Sequence, residues 1–144
     1  MFPDTPTVSQ LSQVIAQAAA PAFLLAALAA FIAILIGRLN RIIDRTIVLN
    51  GIADDDTNKL RLKTDLPRLL RRANMMNRAI FWAVISSITI TTLVIVAFVS
   101  ALAHLEHERG VAFLFIISLA AFTLSLVDFA REIRIALSEL DHFG

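Results

Sequence analysis

The stretch VIAQAAAPAFLLAALAAFIAILI, residues 14–36, followed at once by GRLNRIIDR, residues 37–45, decides the fold. The first part carries no charge, and Gln17 is its one polar side chain. A helix rises about 1.5 Å per residue and the hydrocarbon layer of a bilayer is about 30 Å thick, so this run spans it. The second part keeps the helical pattern going. Leu39, Ile42, Ile43 and Ile47 hold one spacing, while Arg38, Arg41 and Arg45 take another face. The reading is one helix that crosses the membrane and continues beyond it.

Two further apolar runs follow, at 79–103 and 111–127. None of the three alternates as a strand would, and lipid leaves only helices or closed barrels as ways to satisfy the backbone. The third is near the lower length limit and must borrow Ala130 or the interface at its ends. Composition agrees. The chain is 58% hydrophobic and 17% charged, with a mean hydropathy of +0.76, whereas soluble domains are about a quarter charged. The expectation is an all-α membrane protein: one membrane domain over residues 1–144, with three transmembrane helices extended into a cytoplasmic helical bundle.

Orientation comes from the basic residues. Ten of the 13 Lys and Arg lie between the first two spans: Arg38, Arg41, Arg45, Lys59, Arg61, Lys63, Arg68, Arg71, Arg72 and Arg78. Arg131 and Arg134 follow the third span, and Arg109 alone sits in the short loop between spans two and three. The positive-inside rule then puts the N-terminus outside and the C-terminus in the cytoplasm. The first 13 residues hold Asp4 and no Lys or Arg, unlike the basic start of a cleaved signal.

Helical extensions are expected at 38–50, 65–78 and 128–141. Asn50-Gly51 and Asp54-Asp55-Asp56 mark a stop and a loop. Thr64 or Asp65 can cap the returning helix, with Pro67 in its first turn. Leu66, Leu69, Leu70, Ala73 and Met76 form one stripe, and Phe129, Ile133, Ala136, Leu137 and Leu140 another. Three such stripes on one side favour a bundle; the alternative is helices lying flat on anionic lipid. At the other end, Thr7 or Ser9 can cap a helix starting near Val8, and Pro21 can kink it.

The first span has two unlike sides. Ala18, Ala22, Ala26, Ala29, Ala30, Ala33 and Gly37 line one, the kind of surface on which membrane helices pack closely. Gln10, Gln13, Gln17, Leu24, Leu28, Phe31, Leu35 and Arg38 line the other. The expectation is that the small side touches protein and the large side faces lipid or an axis shared between subunits.

Few residues offer chemistry. Asp128 lies at a span boundary and calls for a partner such as Arg38 or Arg78, as a structural salt bridge or else a proton relay. Asp44, between Arg41 and Arg45, is expected to join Arg71 or Arg72 in a charge network holding the bundle. Ser86, Ser87, Thr89, Thr91, Thr92, Ser118, Thr123 and Ser125 either bond carbonyls one turn back and on neighbouring helices, or line a water path. His104, Glu106, His107 and Glu108 read as a solvated turn rather than a metal site, and the triple aspartate lacks calcium-loop spacing. No cysteine, phosphate loop or nucleophile motif is present, so neither an enzyme nor a cofactor is expected. The basic residues have few aromatics among them and read as topology signals, not a nucleic-acid surface.

Four stretches together carry a resemblance: Ala20-Pro21-Ala22, residues 38–45, residues 71–80 and Arg131-Glu132-Ile133. From about Val8 to Leu140 the chain resembles a bacterial family of short inner-membrane proteins catalogued as domain of unknown function twenty-seven twenty-one. The resemblance implies a bacterial inner-membrane location and three spans, and brings no activity with it. Function is left with two expectations. One is a homo-oligomeric ion-conducting pore, with a glutamine ring outside, a hydrophobic gate of Leu24, Leu28, Phe31 and Leu35, and a basic vestibule from Arg38, Arg41 and Arg45. The other is a non-conducting scaffold docking a partner through its cytoplasmic helices. In both, anionic lipids border the cytoplasmic face.

Overall fold

A computed structural model describes residues 7–51, 64, 66–106 and 108–143. Three helices account for nearly all of them: α1 (Val8–Asn50), α2 (Leu66–Leu102) and α3 (Glu108–Phe143). They are 43, 37 and 36 residues long, or roughly 65, 55 and 55 Å. Each contains a stretch long and apolar enough to cross a membrane. The chain is therefore an integral, multi-pass membrane protein, and each helix is about twice as long as the hydrocarbon layer is thick.

The helix boundaries follow local chemistry. Thr7 caps α1: its Oγ1 accepts the Gln10 N–H at 3.3 Å, and the Gln10 side chain accepts the Thr7 N–H at 3.0 Å. Pro21 sits inside α1, buried, and the helix runs on through it to its C-cap at Gly51. Pro67 falls in the first turn of α2. A short turn after Leu102 holds His104 at φ 55°, the left-handed region, and returns the chain to α3. The expected features at Asp54-Asp55-Asp56, Lys59, Arg61, Lys63, Asp65 and His107 lie outside the described residues.

α2 is the central helix and packs along both α1 and α3. The buried positions repeat every seven residues, the period of knobs-into-holes packing between helices that wind round each other. On α1 they are Pro21, Leu28, Leu35, Ile42 and Leu49. On α2 they are Leu69, Met76, Ala79, Ala83, Ser86, Ile90 and Leu93. On α3 they are Ser118, Ala121, Ser125, Asp128 and Glu132.

The two seams differ in kind. Between α1 and α2 the fillers are large, Leu28, Leu35, Ile42 and Leu49 against Leu69, Met76 and Ile90. Between α2 and α3 they are small, so backbones come close enough for hydroxyls to reach across. Ser125 Oγ donates to the Ala79 carbonyl at 2.6 Å. Ser86 Oγ donates to the Ser118 carbonyl at 2.8 Å, and Ser118 Oγ to that of Ser86 at 3.1 Å. The other span hydroxyls bond within their own helix: Ser87, Thr89, Thr91, Thr92 and Thr123 each donate to the carbonyl four residues back. All these hydroxyls thus have a partner in the fold without a water path.

The expected sides of α1 are reversed. Leu28 and Leu35 are 0% exposed, whereas Ala22, Ala26, Ala29, Ala30, Ala33 and Gly37 face outward. The small-residue contact exists, but α2 and α3 make it. Past Leu93, tight packing gives way to a cavity of about 410 Å³ reaching Gln17, Pro21, Phe98 and Phe115.

Candidate functional site

The ionic residues gather where the long apolar runs end, beside Arg38. Glu132, on the buried line of α3, is 0% exposed. Arg38 reaches it from α1, with Nη2 2.7 Å and Nε 3.2 Å from Oε2. Arg72 reaches it from α2, with Nε and Nη2 each 2.9 Å from Oε1. One carboxylate thus joins all three helices, each oxygen serving a different guanidinium. An unpaired carboxylate at this depth would carry a desolvation cost of several kcal/mol, and two charge-assisted forks offset it.

The membrane side of this clamp is closed by aromatic rings. Phe31 meets Phe122 and Phe129 edge-on, both at 5.5 Å between centroids. The Arg38 guanidinium lies 5.5 Å from the centre of the Phe129 ring. Phe31 and Arg38 are seven apart on α1, as are Phe122 and Phe129 on α3, so the same repeat that builds the seams stacks rings above ions. Asp128, one turn before Glu132, is also buried, and among the described residues it pairs with an exposed arginine: Arg78 Nε stands 3.9 Å from Oδ2.

On the α1–α2 side of the clamp lies an open cavity of about 300 Å³ lined by Arg38, Arg41, Ile42, Arg45, Leu69 and Arg72. Ile42 and Leu69 are its buried floor. Arg41 and Arg45 are exposed and make no ion pair with any described residue.

These positions correct several expectations. Arg72 serves Glu132 instead of Asp44, and the expected network of Arg41, Asp44, Arg45, Arg71, Arg72 and Asp128 does not assemble among the described residues. Among the described residues only Arg72 and Asp128 of that set form ion pairs, and with different partners. Asp44 and Arg71 are exposed. Arg38 is the partner of Glu132, and Asp128 takes Arg78, one of the two arginines expected for it. Glu132 itself was missed, although its spacing from Ser125 and Asp128 put it on the α3 seam. Of the large-side residues, Gln10, Gln13 and Gln17 are exposed, Leu24, Phe31 and Arg38 half-buried, and Leu28 and Leu35 sealed against α2. Those two leucines are not on an open surface of the chain. Among the described residues no group of His, Asp and Glu is arranged to hold a metal.

No curated protein and no solved structure matches the chain. A family does: the one described as "Protein of unknown function (DUF2721)" matches residues 18–142, a stretch that contains Arg38, Arg72, Glu132 and both seams. The chain belongs to this family.

Proposed function

We propose that the protein is a homo-oligomeric, non-conducting scaffold of the bacterial inner membrane, with its N-terminus outside and its three helix extensions in the cytoplasm as a docking stalk. One observation carries this reading. Beyond Arg38, Arg72 and Glu132 the helices continue, and there they expose apolar side chains: Ile43, Ile47 and Val48 on α1, Leu70 on α2, Leu137 and Leu140 on α3. Ile47 and Leu140 are 64% and 67% exposed. Apolar residues facing lipid need no explanation, but a row of them outside lipid invites a protein partner. The orientation rests on the 12 of 13 basic residues at that end.

An ion-conducting pore is the second reading. It draws on Arg41 and Arg45, which have no ion pair with a described residue, and on the exposed alanine face of α1, which several copies can turn toward a shared axis. The two readings part in one experiment. The full chain, purified in mild detergent from its native membranes, is weighed by native mass spectrometry and then reconstituted into proteoliposomes for current recording. A scaffold gives a stoichiometric oligomer or foreign partner and no current at any voltage. Steady single-channel currents would replace it with the pore, and a lone monomer with no partner would end both.

A further inference from the structure

We propose that the arginine-lined cavity between α1 and α2 binds a phosphate group, supplied by the headgroup of an anionic phospholipid. The inference does not depend on the scaffold reading.

Charge comes first. Arg38, Arg41, Arg45 and Arg72 line the cavity, and among the described residues no acid does. Glu132 lies beneath Arg38 and Arg72 with both oxygens already engaged. Asp44 is exposed and outside the lining. Among the described residues, Arg41 and Arg45 therefore have no anion. Geometry comes second. Spacings of four and three on α1 put Ile34, Arg38, Arg41 and Arg45 along one side. Their planar forks suit tetrahedral phosphate oxygens, to which they can donate in pairs. The cavity's 300 Å³ admits a phosphodiester, and its floor of Ile42 and Leu69 leaves the arginines as its polar surface.

Depth decides the source of the phosphate. Arg38 is the second residue after the uncharged run of the first span, which places the cavity at headgroup level. On the membrane side, α1 offers exposed Ala30, Ile34 and Gly37. A Cβ added at Gly37 would meet nothing within 4 Å. That open, apolar surface is where an acyl chain from the same lipid can lie. A choline headgroup would bring its own cation into a basic cavity, so anionic lipids are preferred over zwitterionic ones.

Native mass spectrometry of the full chain in detergent, titrated with phosphatidylglycerol or phosphatidylcholine, tests this. Thermal melting with and without millimolar inorganic phosphate forms the second arm. Phosphatidylglycerol is expected to stay bound where phosphatidylcholine is lost. The Arg41→Ala/Arg45→Ala variant is expected to bind phosphatidylglycerol on the order of 10- to 30-fold more weakly. Neither residue holds another part of the chain, so an unchanged melting temperature should confirm the fold. Arg131→Ala/Arg134→Ala removes two charges outside the cavity and should leave binding intact, while Arg41→Lys/Arg45→Lys should fall between. Equal phosphatidylglycerol affinity in the wild type and the double alanine variant overturns the site. Stabilisation by inorganic phosphate that needs Arg41 and Arg45, without lipid retention, keeps the phosphate and overturns the lipid as its source.

Discussion

α2 meets its two neighbours in opposite ways. Toward α1 it presents Leu69, Met76 and Ile90 to leucines, and the helices stand apart by the bulk of those side chains. Toward α3 it presents Ala79 and Ser86 to serines and an alanine, and backbone carbonyls accept hydroxyls from the other helix. In water both contacts would be stabilised by removing apolar surface. In lipid that gain vanishes, and shape and hydrogen bonds remain. A seam of large residues depends on filling space; a seam of small ones depends on nothing being in the way.

The most disruptive change strikes where the seams join. Glu132→Ala should leave Arg38 and Arg72 facing each other with the carboxylate between them gone. It is expected to cost about 3–5 kcal/mol, read as an earlier midpoint in a reversible detergent-denaturation titration. A shift no larger than that of a surface control would show that the clamp is ornamental.

Next in size is a crossed pair that separates the seams. Leu35→Ala should open a cavity between α1 and α2 at a cost of about 2–3 kcal/mol. That is the low end for such a truncation, because the cavity survives in lipid but the transfer gain does not. Ala121→Leu adds bulk where α3 touches α2 and is expected to cost about 1–3 kcal/mol. Thermal melts of the two variants should both fall. A neutral Ala121→Leu would mean that the second seam is looser than its hydrogen bonds indicate.

The smallest effect belongs to a single hydroxyl. Ser125→Ala removes one inter-helix hydrogen bond and should cost about 0.6 kcal/mol, resolved best in a double-mutant cycle with Ser86→Ala. Ser125 donates to the Ala79 carbonyl on α2 and Ser86 to the Ser118 carbonyl on α3, about two turns away, so near-additivity is expected. Strong coupling would point to a shift of the whole of α3.

The sequence made the spans legible because charge is costly in lipid and its absence over 23 residues has few other meanings. The Thr7 cap, the stop at Gly51 and the place of Pro67 were readable for the same local reason: each rests on residues close in the chain. The packed face of α1 is not legible from its hydropathy. Alanine and leucine are equally content against lipid, so hydropathy cannot say which faces a neighbour, and the small-residue stripe drew the inference to the wrong side. The seven-residue line from Pro21 to Leu49 was there to be read as a period instead of a size class. Glu132 was hidden differently. Its partners lie 94 and 60 residues away on two other helices, and only a packed structure tells a surface glutamate from one that closes a clamp.

α1 has no break at the point where its uncharged run gives way to arginine. A rod held that way behaves as a lever. About 20 Å of it lies beyond Arg38, so a change of roughly 10° in tilt, as a bilayer thins or thickens, carries the tip near Asn50 sideways by about 3–4 Å. What happens among the acyl chains is thereby passed, as displacement, to whatever touches the far end.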